Sequence, residues 1–213
     1  MDGRGRLLVV TAVDAERDAL AAEAEERFDI AVVGVGPASA AAATARLLAT
    51  ASTPYRAVIS AGIGGGFAGL VEVGGLALAS SSIAADLGAE APDRFLPLDE
   101  LGFGTARYEA DAGLVDLLGP ALPEAVVGPV LTVSTTTGSA AGTAALRGRH
   151  PDAVAEGMEG FGVATAAAQA GVPFGELRSI SNVVGPRDRA GWRIREALAV
   201  LADAGRVLGK LEA

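Results

Sequence analysis

Apolar and polar positions follow two rhythms along this chain. Leu7 to Val13, Phe28 to Val35, Ala57 to Ala61, Leu76 to Ser82 and Ala125 to Val133 are mostly apolar, the pattern of strands covered on both faces, and Phe174 to Ser181 reads as a further buried strand that ends on the amide of Asn182. The stretches between them carry helical spacing. Asp14 to Glu25 has Leu20 and alanines on one side and Glu16, Arg17, Glu23 and Glu26 on others. Pro37 opens an alanine-rich helix running to about Thr50, and proline suits a first helical turn. Ala112 to Leu118 predicts a short helix and Phe161 to Ala170 a helix of small residues. Trp192 to Leu211 predicts an amphipathic closing helix, anchored by Trp192, with Ile194, Leu198, Leu201, Val207 and Leu208 turned inward. Ala84 to Tyr108, with Pro92, Pro97 and several charges, predicts a long irregular loop. No repeat or linker divides the pattern. Strands alternating with helices predict one α/β domain over residues 1–213, with a largely parallel or mixed sheet.

Composition narrows this picture. Half of the 213 residues are hydrophobic but only 4% are aromatic, so the core is expected to be built from Ala, Val, Leu, Ile and Gly, which lets helices approach the sheet closely. A net charge of −9 argues against nucleic acid as a partner, because phosphate binding needs a basic surface. The absence of cysteine excludes disulfides and thiolate chemistry and fits a reducing compartment. Arg4 and Arg6 precede only the short run Leu7 to Val10 before Asp14 and Glu16, so no signal peptide is expected. No charge-free apolar run reaches the roughly 18 residues of a membrane span. Together these predict a cytoplasmic protein with no membrane partner.

Several residues are candidates for chemistry, each beside a plainer role. Gly62 to Gly66 lacks the Lys-Ser/Thr ending of a phosphate-binding loop. It can be a tight turn after a strand or backbone that faces a ligand. Glu16, near the start of the first helix, can favour the helix dipole or act as a general base at the carboxyl edge of the sheet. Glu156 and Glu159 precede the small-residue helix. They can cap it, or a carboxylate there can accept hydrogen bonds from paired sugar hydroxyls, with Met158 as an adaptable apolar wall. Asn182 at the end of the last strand can serve the Gly185-Pro186 turn or meet a ligand. His150 is the only histidine and reads as exposed. One histidine makes neither a metal cluster nor a Ser-His-Asp set.

Taken in order, Thr11-Ala-Val-Asp-Ala-Glu16, Val35-Gly36, Ser60-Ala-Gly-Ile-Gly-Gly65, Val133-Ser134, Gly157-Met158-Glu159-Gly160 and Ile180-Ser181-Asn182 resemble the purine nucleoside phosphorylase and nucleosidase superfamily, and most closely its hydrolase branch. The resemblance implies a three-layer αβα fold with a mixed central sheet flanked by helices. It also implies cleavage of a ribosyl N-glycosidic bond without cofactor or metal. In its terms Glu16 would position and activate water, Glu159 would bind the ribose hydroxyls and Met158 would pack under the sugar. Asn182 would contact the purine, and Gly62, Ile63 and Ser134 would lie against the substrate. A homo-oligomer, dimer or larger, is implied as well. Variable loops, often a neighbour's, would meet the 5′-end of the nucleoside, with Arg94, Phe95, Phe103, Arg107 and Tyr108 as candidates.

Two departures from the superfamily pattern favour a substrate. The phosphorylase branch carries an arginine where this chain has Ile59-Ser60-Ala61-Gly62, and another on its first loop, where this chain offers Glu16. A phosphate dianion would there meet a carboxylate, so water is the expected acceptor. Adenine-specific members have Asp where this chain has Asn182. An amide NH2 can donate to O6 or N7 of a 6-oxopurine. With Pro186-Arg187-Asp188 following, this resembles members that cleave futalosine to hypoxanthine and dehypoxanthine futalosine on a route to menaquinone. The rivals are a nucleosidase for methylthioadenosine, S-adenosylhomocysteine or aminodeoxyfutalosine, a phosphorylase, and a non-catalytic nucleoside binder.

Overall fold

The computed structural model describes residues 6–22 and 28–210. Arg4, the expected helical end at Glu23 to Glu26, and Leu211 lie outside the described residues. The elements in chain order begin β1 (Leu7–Thr11), α1 (Asp14–Ala21), β2 (Asp29–Val32), α2 (Pro37–Thr50), β3 (Ala57–Gly66) and β4 (Leu76–Ala84). They continue with β5 (Gly88–Glu90), β6 (Phe95–Pro97), α3 (Leu98–Leu101), β7 (Arg107–Glu109), α4 (Ala112–Ala121) and β8 (Ala125–Thr132). The chain closes with α5 (Ala140–Arg149), β9 (Ala155–Gly157), α6 (Gly160–Ala170), β10 (Phe174–Val183) and α7 (Ile194–Lys210).

The apolar runs fold as they do because both faces of the sheet are covered. Leu7 and Val9 of β1 join Leu20, Leu201 and Leu208 in the core under α1 and α7. Leu8 and Val10 point the other way, into a core with Ala40, Val163 and Ala167 from α2 and α6. The result is the expected mixed central sheet between helices. β1 pairs in parallel with β2 and β3, and β3 in parallel with β10. β10 then meets β4 antiparallel, β4 runs parallel to β8, β8 parallel to β9, and β9 returns antiparallel to β3. Strands β3, β10, β4, β8 and β9 therefore close into a ring, and β1 and β2 extend from it. None of the helices among the described residues is long and apolar enough to cross a membrane.

Four local expectations change. Gly62 to Gly66 is the second half of β3, not a turn, and none of these glycines has a positive φ. Glycine stands there because a Cβ would strike neighbours on the curled sheet: Arg178 and Glu16 at Gly62, the Glu156 carbonyl at Gly64, the Val71 carbonyl at Gly66. The stretch Ala84 to Tyr108 holds three short strands and a helical turn rather than an irregular loop, with β5 paired to β6 and β7 to β4. Helix α5 was not anticipated. It starts at Ser139, whose hydroxyl accepts from the Gly142 N–H at 3.1 Å, an ordinary N-cap. Trp192 lies before α7, after a single 3₁₀ turn at Arg189–Gly191, and Ile194 is exposed, while Leu201 and Leu208 are buried as expected.

Helices α2 and α6 lie very close because α6 offers Gly162 where they cross, and a Cβ there would overlap the Pro37 carbonyl. Gly162→Ala gains about 1 kcal/mol of helix propensity but forces apart two backbones. Overpacking costs about 1–3 kcal/mol, and a rigid carbonyl yields less than a side chain. A net loss of stability is expected, read as a fall of several degrees in Tm by calorimetry. An unchanged or raised Tm would show that the crossing has slack.

Candidate active site

At the carboxyl end of β1 and β3, the chain of β1 turns directly into α1 and brings Glu16 back beneath it. Glu16 is only 4% exposed. Its Oε2 accepts from the Ala12 N–H at 2.9 Å and the Val13 N–H at 3.3 Å, so it does cap its own helix. Its Oε1 accepts from the Ile63 N–H of β3 at 2.9 Å. Capping and a role in the site are thus not alternatives: one oxygen holds the turn and the other ties the carboxylate to the glycine-rich strand. Burial pushes the Glu16 pKa above the ordinary carboxylate value. The Ile63 N–H, the Arg178 charge and the Ala12 N–H pull against that rise, and Glu159 adds to it.

Glu159 stands at the N-terminus of α6 but caps nothing with its side chain, and Glu156 belongs to β9. Of the two readings, the capping pair is therefore not what forms. Glu159 Oε1 instead accepts from the Gly36 N–H at 3.1 Å, and Oε2 from the Met158 N–H at 3.3 Å. The Gly36 contact joins two glycine-containing motifs that are far apart in sequence. Asn182 lies in a bulge of β10, after the register against β3 slips between Ile180 and Asn182. The Ser181 hydroxyl sits 2.8 Å from Asn182 Oδ1 and donates to it, and Asn182 Nδ2 donates to the Val183 carbonyl at 3.1 Å. With its oxygen engaged, the amide presents its remaining N–H.

Glu16, Ile63, Met158, Glu159 and Asn182 line one cavity of about 250 Å³, together with Glu156, Thr137, Arg187 and Trp192. Two expected substrate contacts are not part of that lining. Gly62 is buried behind it, where its missing side chain leaves room for Arg178 and Glu16. Ser134 is exposed and lies in a separate depression with Asp86 and Phe161, its N–H donating to Asp86 at 2.6 Å. Its neighbours Thr136 and Thr137 reach the cavity instead. Arg94 and Arg107 are ion-paired with Glu100 and Glu109. With Phe95 and His150 they line a different cavity of about 600 Å³. His150 is half-buried rather than exposed. Tyr108 packs on Phe161, ring centroids 5.2 Å apart, and Phe103 is exposed.

Sequence reasoning missed Arg178. This side chain is 1% exposed. Its Nε donates to Glu176 at 2.9 Å, its Nη1 to Glu159 at 3.4 Å and its Nη2 to the Ser60 hydroxyl at 2.8 Å. The available signal was Glu176 and Arg178 two residues apart in a strand expected to be buried. That spacing puts opposite charges on one face of a buried sheet, where they must pair. Glu156 was noticed only as one of a carboxylate pair before α6, and Trp192 only as an anchor.

Buried carboxylates held by backbone N–H groups, one of them next to a buried guanidinium, with an amide nearby in the same cavity, make the kind of concave, polar-lined setting in which α/β sheets take small molecules at the carboxyl ends of their strands. Among the described residues no cluster suited to a metal ion is present. Residues 16–211 match the family model described as the phosphorylase superfamily. The chain is 52% identical to a futalosine hydrolase of Streptomyces coelicolor, covering 96% of this chain and 94% of that protein. It is 46% identical to a futalosine hydrolase of Acidothermus cellulolyticus, covering 95% and 89%. Among solved structures, a methylthioadenosine/S-adenosylhomocysteine nucleosidase of Colwellia psychrerythraea in complex with adenine superimposes with a TM-score of 0.82 at 22% identity, covering 97% of this chain and 96% of that one. The native futalosine hydrolase of Helicobacter pylori superimposes with a TM-score of 0.75 at 18% identity, covering 97% and 95%. With a family model running from the Glu16 turn into the last helix, and relatives about half identical nearly end to end, the chain belongs to the phosphorylase superfamily.

Proposed function

We propose that this protein is a futalosine hydrolase, cleaving the N-glycosidic bond with water and releasing hypoxanthine. The family and the names of its relatives support hydrolysis of an N-glycosyl compound. The single observation that carries the reading is one cavity bounded by Glu16, Glu159 and Asn182.

The chemistry follows from the charges that develop as the bond breaks. C1′ of the ribose becomes oxocarbenium-like and positive, and the departing base becomes negative. Glu159, fixed by the Gly36 and Met158 N–H groups, accepts the ribose hydroxyls and holds them more strongly as positive charge grows in the ring. That selective gain lowers the barrier. The Arg178 guanidinium holds Glu159 in place and does not reach out for an anion. Glu16, turned toward β3, takes the proton of the attacking water, so oxygen adds to C1′ as the C1′–N9 bond breaks. The free N–H of Asn182 donates to N7 or O6 of the leaving purine, where negative charge collects. An aspartate there would offer only acceptors once ionised, which suits a 6-amino group better than a 6-oxo group. The absence of cysteine suits the cytoplasm as the place of this reaction.

Incubation with futalosine in phosphate-free buffer, with chromatography of the products, is expected to give hypoxanthine at a rate indifferent to added phosphate. Strict phosphate dependence, or no release of base, would reject the proposal. Glu159→Gln should lower kcat by about a hundredfold or more, as loss of one preorganised electrostatic contact does. The variant should stay folded by circular dichroism, because Arg178 keeps Glu176 as its partner; near-wild-type turnover would remove Glu159 from the sugar. Glu16 must be ionised to act as base, and its pKa is raised by burial. Activity should therefore fall, as pH drops, with an apparent pKa above the 4.5 of an ordinary glutamate. A pH profile of kcat/KM flat through that region would exclude Glu16 as the base.

A further inference from the structure

Glu176 is a fully buried carboxylate to which the hydrolytic scheme gives no task. It stands two residues before Arg178 on the same face of β10. It lies against the start of α6, where a Cβ at Gly160 would overlap both of its oxygens, and it is not part of the wall of the main cavity. Its Oε1 accepts from Arg178 Nε at 2.9 Å. Its Oε2 has no hydrogen-bond partner among the described residues. A buried carboxylate with one oxygen unsatisfied is costly. A well-packed neutral side chain of similar volume would fill the space at less cost, so the charge calls for a use.

The guanidinium of Arg178 has two ends. Its Nε faces Glu176, and its Nη1 donates to Glu159 over a longer 3.4 Å. Nη1 also lies beside Glu16: a Cβ at Gly62 would sit 2.7 Å from Nη1 and 2.7 Å from Glu16 Oε1. One cation therefore stands between a carboxylate outside the cavity and two that line it. Against burial, which disfavours its charge, Glu176, Glu159 and Glu16 in that order keep Arg178 protonated. Burial pushes the Glu176 pKa up and Arg178 pulls it down, with Glu159 adding to the rise. Glu156, also on the cavity wall, is tied to Thr137 instead. We infer that Glu176 is a positioning residue for the hydrolysis: by taking the Nε end of Arg178 in the shorter bond, it leaves Glu159 loosely held and free to accept the ribose hydroxyls, and it offsets the positive charge beside Glu16. Without the Glu176 charge, Arg178 would draw Glu159 toward itself and stabilise ionised Glu16, making it a weaker base. The site would also hold less negative charge to meet the positive C1′.

This inference rests on the hydrolytic roles of Glu16 and Glu159, and the test separates the two. Hypoxanthine release from futalosine by the full chain is followed across pH for wild type, Glu176→Gln and Glu176→Asp. Glutamine has the same size and still accepts from Nε, without the charge. It should lower the plateau kcat about tenfold and move the acid limb of kcat/KM to lower pH, because positive charge left uncompensated favours ionised Glu16. Glu176→Asp keeps the charge one methylene further from Nε. It should move the limb the same way by less, and it serves equally if the glutamine variant does not fold. A Glu176 that only supported the fold would lower Tm and kcat and leave the limb at its wild-type position. An unmoved limb in whichever variant folds, with wild type hydrolysing futalosine, overturns this inference alone. Failure of wild type to release hypoxanthine overturns the parent reading and this inference with it.

Discussion

The buried guanidinium of Arg178 is the constraint around which the site is arranged. A cation with 1% of its surface exposed must be paired and hydrogen-bonded in full, because burying it alone costs far more than folding could offset. Glu176, Glu159 and Ser60 meet that demand from β10 itself, the start of α6 and the middle of β3. Three segments separated in sequence are thereby fixed against one another. Two carboxylates share the pairing of this one cation, and Glu159, which also lines the cavity, is one of them. Stability and site geometry therefore share a common set of bonds.

The glycines of β3 are the other half of that constraint. Gly62 leaves the space that the Arg178 guanidinium occupies, Gly64 lets the Glu156 carbonyl approach, and Gly157 leaves room beside the Arg178 Nε. Gly65, on the opposite face, lets the Val184 side chain and the Asn182 amide pack against the backbone. Side chains at these positions would fill either the charged layer or the cavity. The second half of β3 thus does by omission what a glycine-rich loop does in other sites: it lets partners approach the backbone. It does so in an extended conformation, and none of these glycines needs a positive φ.

Around this layer, the backbone supplies most of the orientation. Glu16 is held by N–H groups of Ala12, Val13 and Ile63, and Glu159 by those of Gly36 and Met158. Main-chain donors at the ends of strands and the starts of helices move little, so the carboxylates are preorganised before a ligand arrives. Burial also separates their environments from water, which explains why the pKa of Glu16 rises although several donors oppose it. The arginines of the second cavity contrast with this: Arg94 and Arg107 are exposed and bound to exposed carboxylates, and such pairs contribute little to stability.

Local pattern alone determined much of this protein. The double-faced apolar runs gave most of the strands, Pro37 marked the start of α2 to the residue, and Glu16, Met158, Glu159 and Asn182 came forward as candidates through the resemblance of the short motifs that carry them. Those signals are local: periodicity, caps and turn chemistry act over a few residues. Tertiary structure alone decided that Gly62 to Gly66 continues a strand, that Ser134 turns to Asp86 while Thr137 turns to Glu156, and that Arg178 joins Glu159 to Ser60. Each of those outcomes depends on strand order and register, which bring together residues as far apart as Gly36 and Glu159. No short stretch of sequence encodes which neighbour a strand will have, because that is settled by how all the apolar faces are covered at once.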